Sequence, residues 1–147
     1  MNQNKRIWKQ ETTLDYLNSM GKDSLGTHIG IVFTEIGDDF LIAKMPVDHR
    51  TKQPFGILHG GASVVLAETL GSVASTLCLS DLTKYTAVGL EINANHLRSV
   101  RSGFVYGKVT PIRVGRTVHV WNIEITDDSG HVSAISRLTT MIVGLSK

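Results

Sequence analysis

Apolar positions along the 147-residue chain change their spacing several times, and each change marks a predicted element. Leu14, Leu17 and Met20 recur at three-residue steps behind Thr12 and Thr13, either of which can cap a helix, with Gly21 as its stop. Residues 29–36 and 40–45 are rich in β-formers and flank the turn Gly37-Asp38-Asp39, which predicts a hairpin. Pro46, Asp48, Pro54 and Gly56 make residues 46–58 an ordered loop. Residues 60–79 then predict one long helix, followed by a polar connection over 80–84. Three β-like stretches come next, at 86–95, 103–114 and 116–126. A turn at Asp127-Asp128-Ser129-Gly130 leads to a last strand over 131–143. Between Val118, Val120 and Trp121, Ile123, Ile125 the alternation shifts, which predicts partial cover on both faces of that strand.

The order is helix, two strands, one long helix, then at least three strands. Four or more antiparallel strands can curl around a single apolar helix and bury it on nearly every side, so the expected class is α+β. Small residues on that helix, including Gly61, Ala62, Ser63, Ala67, Gly71 and Ala74, permit close approach by the sheet or by another helix. The length suits a single domain over 1–147, with residues 1–10 expected to form a flexible extension.

Residues 60–79 are long enough to cross a bilayer, but only 11 of the 20 are apolar and Glu68 sits near the middle. A central carboxylate costs a few kcal/mol or more in a membrane, so a span is rejected. Hydrophobic residues make up 41% and charged residues 19%, which excludes a disordered chain. A net charge of +2 gives no reason to expect a nucleic-acid partner. The polar N-terminus lacks the apolar run of a signal peptide, and the one cysteine, Cys78, cannot form an intrachain disulfide, so a cytoplasmic protein is expected. His28, His49, His119 and His131 show no metal-ligand spacing, and neither a Ser nucleophile elbow nor a phosphate-binding loop occurs, so no metal or cofactor is expected.

Glu68 is the sharpest chemical feature. It is the one carboxylate between His59 and Leu79, among Val64, Val65, Leu66, Ala67 and Leu70. An apolar setting favours the neutral acid and makes the ionised form a stronger base or nucleophile. The alternative is a carboxylate on the helix's one wet stripe, beside Ser72, Ser75 and Thr76. His59-Gly60-Gly61 opens the same helix, where unpaired N–H groups can polarise a carbonyl and glycine lets a ligand approach; the alternative is a tight turn with His59 merely capping. Glu68 lies eight residues beyond Gly60, about 12 Å along a helix. One carbonyl cannot reach both within one chain, so a joint site would need the carboxylate of a second subunit in a two-fold dimer. The basic segments His96-Leu97-Arg98-Ser99-Val100-Arg101 and Arg113-Val114-Gly115-Arg116 read either as phosphate contacts or as solvated strand ends.

The segment Asp48–Ser72, containing Gln53-Pro54-Phe55-Gly56-Ile57-Leu58-His59-Gly60-Gly61 and Leu66-Ala67-Glu68-Thr69-Leu70-Gly71-Ser72, resembles the centre of hotdog-fold acyl-CoA thioesterases. It is most similar to the branch holding bacterial 1,4-dihydroxy-2-naphthoyl-CoA hydrolases and the proofreading thioesterases of enterobactin synthesis. Residues 89–98 and Ser136-Arg137-Leu138-Thr139-Thr140 extend the likeness over nearly the whole chain. The resemblance implies an antiparallel sheet wrapped around the long helix, and Glu68 as the carboxylate that attacks the thioester or activates water. It implies that the Gly60 N–H, with His59 nearby, polarises the carbonyl across the subunit boundary, and that Gln53 positions carbonyl or water. Thr69 and Ser72 would stand near the acyl group. Gly89, His96, Leu97, Arg98, Ser99, Arg113, Val114, Gly115, Arg116, Thr117 and Val118 would contact coenzyme A. It further implies a homodimer with shared sites, pairing into a tetramer. Hydrolysis of an aromatic or mid-sized acyl-CoA is the leading expectation; a hotdog-fold 3-hydroxyacyl dehydratase and a non-catalytic acyl-CoA-binding protein are the alternatives.

Overall fold

The computed structural model describes residues 6–146. Two short helices, α1 (Leu14–Met20) and α2 (Leu25–His28), precede the hairpin β1 (Val32–Ile36) and β2 (Leu41–Pro46). The long helix α3 (Gly60–Leu77) follows, then β3 (Tyr85–His96), β4 (Phe104–Val114), β5 (Val118–Asp127) and β6 (Val132–Gly144). The strands form one antiparallel sheet in the order β1-β2-β4-β5-β6-β3. β2 and β3 are consecutive strands near opposite margins of the sheet, so α3 is the crossover that carries the chain across its inner face. Leu66, Leu70 and Ala74 of α3 are fully buried with Leu41, Met45, Val105, Val109, Ile123 and Leu138 of the sheet.

The predicted elements are present, with informative differences. The first strand begins at Val32, because Leu25–His28 turns once as α2 and Gly30 leaves it at φ +82°. The apparent shift of period in β5 disappears: His119, Trp121, Ile123 and Ile125 all face the core, and a polar residue at 119 hid the alternation. Trp121 donates from Nε1 to Ser75 Oγ (2.7 Å), and Ser75 shares a second hydrogen bond with Thr140 Oγ1 (2.7 Å). Ser75 is thus fully buried, not part of a wet stripe.

The expected flexible extension over 1–10 does not hold for its described part beyond Arg6. Trp8 is buried, stacks on Trp121 at 6.4 Å and donates from Nε1 to the Gly37 carbonyl (2.7 Å). The Lys9 and Gln10 N–H groups bond to the Leu77 carbonyl. The buried indole and these backbone bonds together pin an otherwise polar arm. Residues 1–5 lie outside the described residues.

The two sheet margins are unlike. β1 is blocked by Asn18 of α1, whose side-chain amide donates to the Phe33 carbonyl (3.1 Å) and accepts from its N–H (2.8 Å). β3 runs for 12 residues with its outer edge unpaired among the described residues, and Val88 and Leu90 on it are 40% and 53% exposed. A long, apolar, open edge is a template for pairing with another strand. No helix among the described residues is long and apolar enough to cross a membrane.

Candidate active site

The sequence-predicted site residues fall into three groups spaced along α3, which at 18 residues is about 27 Å long. The first group surrounds its N-terminus. The preceding loop is tied by its own contacts: Thr51 is buried and donates from Oγ1 to the Pro46 carbonyl (2.6 Å), while Asp48 pairs with Arg50 at 2.7 Å. The Arg50 guanidinium and backbone N–H draw the Asp48 carboxyl down to about 2. His59 N–H then bonds to the Thr51 carbonyl (2.8 Å) and places His59 as the N-cap.

The first turn of α3 spends its N–H groups unevenly. Gly61 N–H donates to His59 Nδ1 (2.8 Å), and Ala62 and Ser63 N–H donate to the His59 carbonyl. Gly60 N–H has no partner among the described residues. It borders a cleft of about 300 Å³ lined also by Gln53, His96, Leu97, Arg98 and Ser99. The Gln53 side-chain carbonyl accepts from Phe55 N–H, which fixes that amide at the cleft wall. The His96 ring packs close over Gly60: a Cβ there would lie 2.8 Å from His96 Nε2 and 3.0 Å from its Cε1, so a side chain at 60 would displace that ring.

The second group sits at mid-helix. Glu68 is half-buried and accepts from Ser72 Oγ (3.1 Å) through Oε1. Its carboxylate lies over β3 at Gly89, where a Cβ would meet Oε1 at 2.8 Å. Gly89 adjoins a bulge in the β3–β6 pairing, opposite Thr140, so strand register and absent side chain together make the seat. Thr69 is half-buried and donates from Oγ1 to the Val65 carbonyl (2.7 Å). Val64, Val65, Glu68, Thr69, Ser72, Val73 and Thr76 are only half-buried. The expectation that one sheet would cover α3 on nearly every side is corrected: it covers one face and leaves a stripe that contains the carboxylate.

The third group, Arg113–Val118, forms the β4–β5 turn near the C-terminal end of α3. Val114, Gly115, Arg116 and Thr117 line a second cleft of about 550 Å³ with Cys78 and His119. Burial pushes the Cys78 thiol up to about 11, which keeps it a poor nucleophile near neutral pH. Burial also holds the His119 imidazole below its ordinary range. Among the described residues no three His, Cys, Asp or Glu side chains gather as a metal site.

Within one chain, then, Gln53, Gly60 and His96–Ser99 come together, as do Glu68, Ser72 and Gly89, but the groups remain apart. Sequence reasoning missed Ser63 and Ser133 in the first cleft, and placed Val100 there only as part of a basic segment. Ser63 stands one helical turn beyond Gly60 and was open to discovery by spacing. Ser133 had no sequence signal: its carbonyl accepts from Leu97 and Arg98 N–H because β6 pairs with β3.

A family model described as the thioesterase superfamily matches residues 55–134, which span the loop before α3, α3 itself, and β3 to β5. The solved structure of a Haemophilus influenzae thioesterase superposes with a TM-score of 0.92 at 50% identity, covering 96% of this chain and 97% of that one. The chain belongs to the thioesterase superfamily, has its hotdog fold, and is a thioester hydrolase. Among named relatives, it is 56% identical over 137 residues to the 1,4-dihydroxy-2-naphthoyl-CoA hydrolase of Escherichia coli, covering 93% of this chain and 99% of the relative. It is 49% identical over 138 residues to the proofreading thioesterase EntH of Cronobacter sakazakii, covering 94% and 99%.

Proposed function

We propose that this thioesterase hydrolyses coenzyme A esters of aromatic or mid-sized acyl groups, in the cytoplasm, at sites shared by two subunits. The observation that carries the reading is the separation of its two reactive features. The unpaired Gly60 N–H and the Glu68 carboxylate lie on one helix, about 12 Å apart by helical rise. The open β3 edge supports a dimer that continues the sheet and lays two α3 helices antiparallel. That arrangement brings the N-terminal cleft of one subunit to the mid-helix carboxylate and the Arg113–Val118 turn of its partner. Pairing of two such dimers makes the tetramer. The named relative that hydrolyses a naphthoyl-CoA supports an aromatic acyl group.

The Gly60 N–H polarises the thioester carbonyl, reinforced by the helix dipole. Glu68 of the other subunit attacks the carbonyl carbon or takes a proton from an attacking water. Ser72, donating to Glu68, orients the carboxylate, and the Gln53 amide positions carbonyl or water. His59 fixes the turn as its cap. Coenzyme A leaves as a thiolate; a thiol pKa of about 8.5 makes that departure easy without a strong general acid. Base or nucleophile help and carbonyl polarisation each supply about 10²- to 10⁴-fold. His96–Ser99 and Arg113–Val118, from different subunits, hold the coenzyme A moiety, with arginines on its phosphates.

Thiol release from benzoyl-, naphthoyl-, branched and straight-chain CoA esters tests the reading. Wild type should favour an aromatic ester, and Glu68→Ala should lose at least about 10²-fold in kcat. Activity unchanged in Glu68→Ala would overturn it.

A further inference from the structure

We propose that His96 is the second hydrogen-bond donor to the substrate carbonyl, completing with the Gly60 N–H a two-donor pocket for the developing oxyanion. The inference rests on the reading of Gly60 given above and adds a residue that the reading treats only as a coenzyme A contact. Of the two histidines at this turn, His59 is committed elsewhere. Its Nδ1 accepts from Gly61 N–H, and its ring lies against Gly61, with Cε1 and Nδ1 both 3.0 Å from where a Gly61 Cβ would be. The ring over Gly60 is that of His96. Its Nε2 stands 2.8 Å from the vacant Cβ position, hence no more than one bond length farther from the Gly60 Cα.

His96 ends β3, is exposed, and lines the same cleft as the Gly60 N–H. Neither of its ring nitrogens has a hydrogen-bond partner among the described residues. An oxygen drawn to Gly60 N–H therefore meets a free imidazole nitrogen on the flank left open by the glycine. An oxyanion gains most from two donors already placed before reaction, and this ring lies against the helix start. Glycine at 60 thus serves twice: it exposes the N–H, and it leaves room for the second donor.

The test is steady-state kinetics of the full-length enzyme on a benzoyl-CoA substrate, with His96→Ala, His96→Phe and His96→Gln. A donor role predicts that Ala and Phe each lose about 10²-fold in kcat with little change in KM, while Gln, which keeps an amide N–H, recovers at least about tenfold over Ala. The side chain is at an exposed strand end, so all three should melt with wild type. Gly60→Ala should lose activity by displacing the ring, and should add no further loss in the His96→Ala background. Wild-type kcat in His96→Phe, a change in KM alone, or additive losses in the double variant would each overturn the proposal. A Glu68→Ala enzyme that stays active would instead overturn the parent reading.

Discussion

Gly89→Ala isolates the seat of Glu68, the carboxylate proposed to act on the thioester, from the stability of the fold. The added methyl would lie 2.8 Å from Glu68 Oε1, where ordinary contact begins at 3.4 Å, so the carboxylate must retreat by about 0.6 Å. The obstacle is the end of a flexible side chain, and alanine suits a strand no worse than glycine, so the fold should change by less than about 1 kcal/mol. Chemistry is less tolerant, since a 1 Å misplacement of a reacting group can cost about 10²-fold. We expect kcat to fall about 10- to 100-fold, equivalent to about 1.4–2.7 kcal/mol in the barrier. Thiol release with an aromatic CoA ester reads the rate, and a thermal melt of the same sample reads the fold. Unchanged kcat with an unchanged melt would refute the argument, because it would mean that Glu68 does not react from its position over β3.

Three further outcomes follow from other parts of the molecule. Mixing Glu68→Ala and Gly60→Pro subunits should restore about a quarter of wild-type activity: half the dimers are mixed and each carries one intact shared site. Proline is tolerated at the first helical position, so an absence of recovery in demonstrated mixed dimers would place both groups in one chain's site. Ser75→Ala should destabilise the fold by about 1–3 kcal/mol, seen as a drop of several degrees in Tm, because it leaves Trp121 Nε1 without its acceptor in the core; an unchanged Tm would contradict that account. Burial keeps His119 from taking the proton that the unfolded chain accepts below its ordinary value of 6.5, so its contribution makes stability fall as pH drops through that value. Urea unfolding at about pH 7.5 and about pH 5.5 should show a smaller acid loss in His119→Gln than in wild type; equal losses would count against it.

The long helix, the hairpin before it and the strands after it were legible because each reports its own periodicity, and because Glu68 and His59-Gly60-Gly61 are conspicuous against an apolar or turn-forming background. Even the distance between them was legible, since helical rise is a local property, and it alone showed that a site joining the two would need a second subunit. Long-range burial decided what local pattern cannot express. The crossover of α3 sent β3 to the far margin, which set His96 over Gly60, Gly89 under Glu68 and the Ser133 carbonyl behind Leu97 and Arg98. It also turned Ser75 inward to meet Trp121 and drew Trp8 out of a polar arm into the core. A side chain's period states which way it faces; which partner it finds there depends on how distant segments share one buried volume, and only the folded chain settles that.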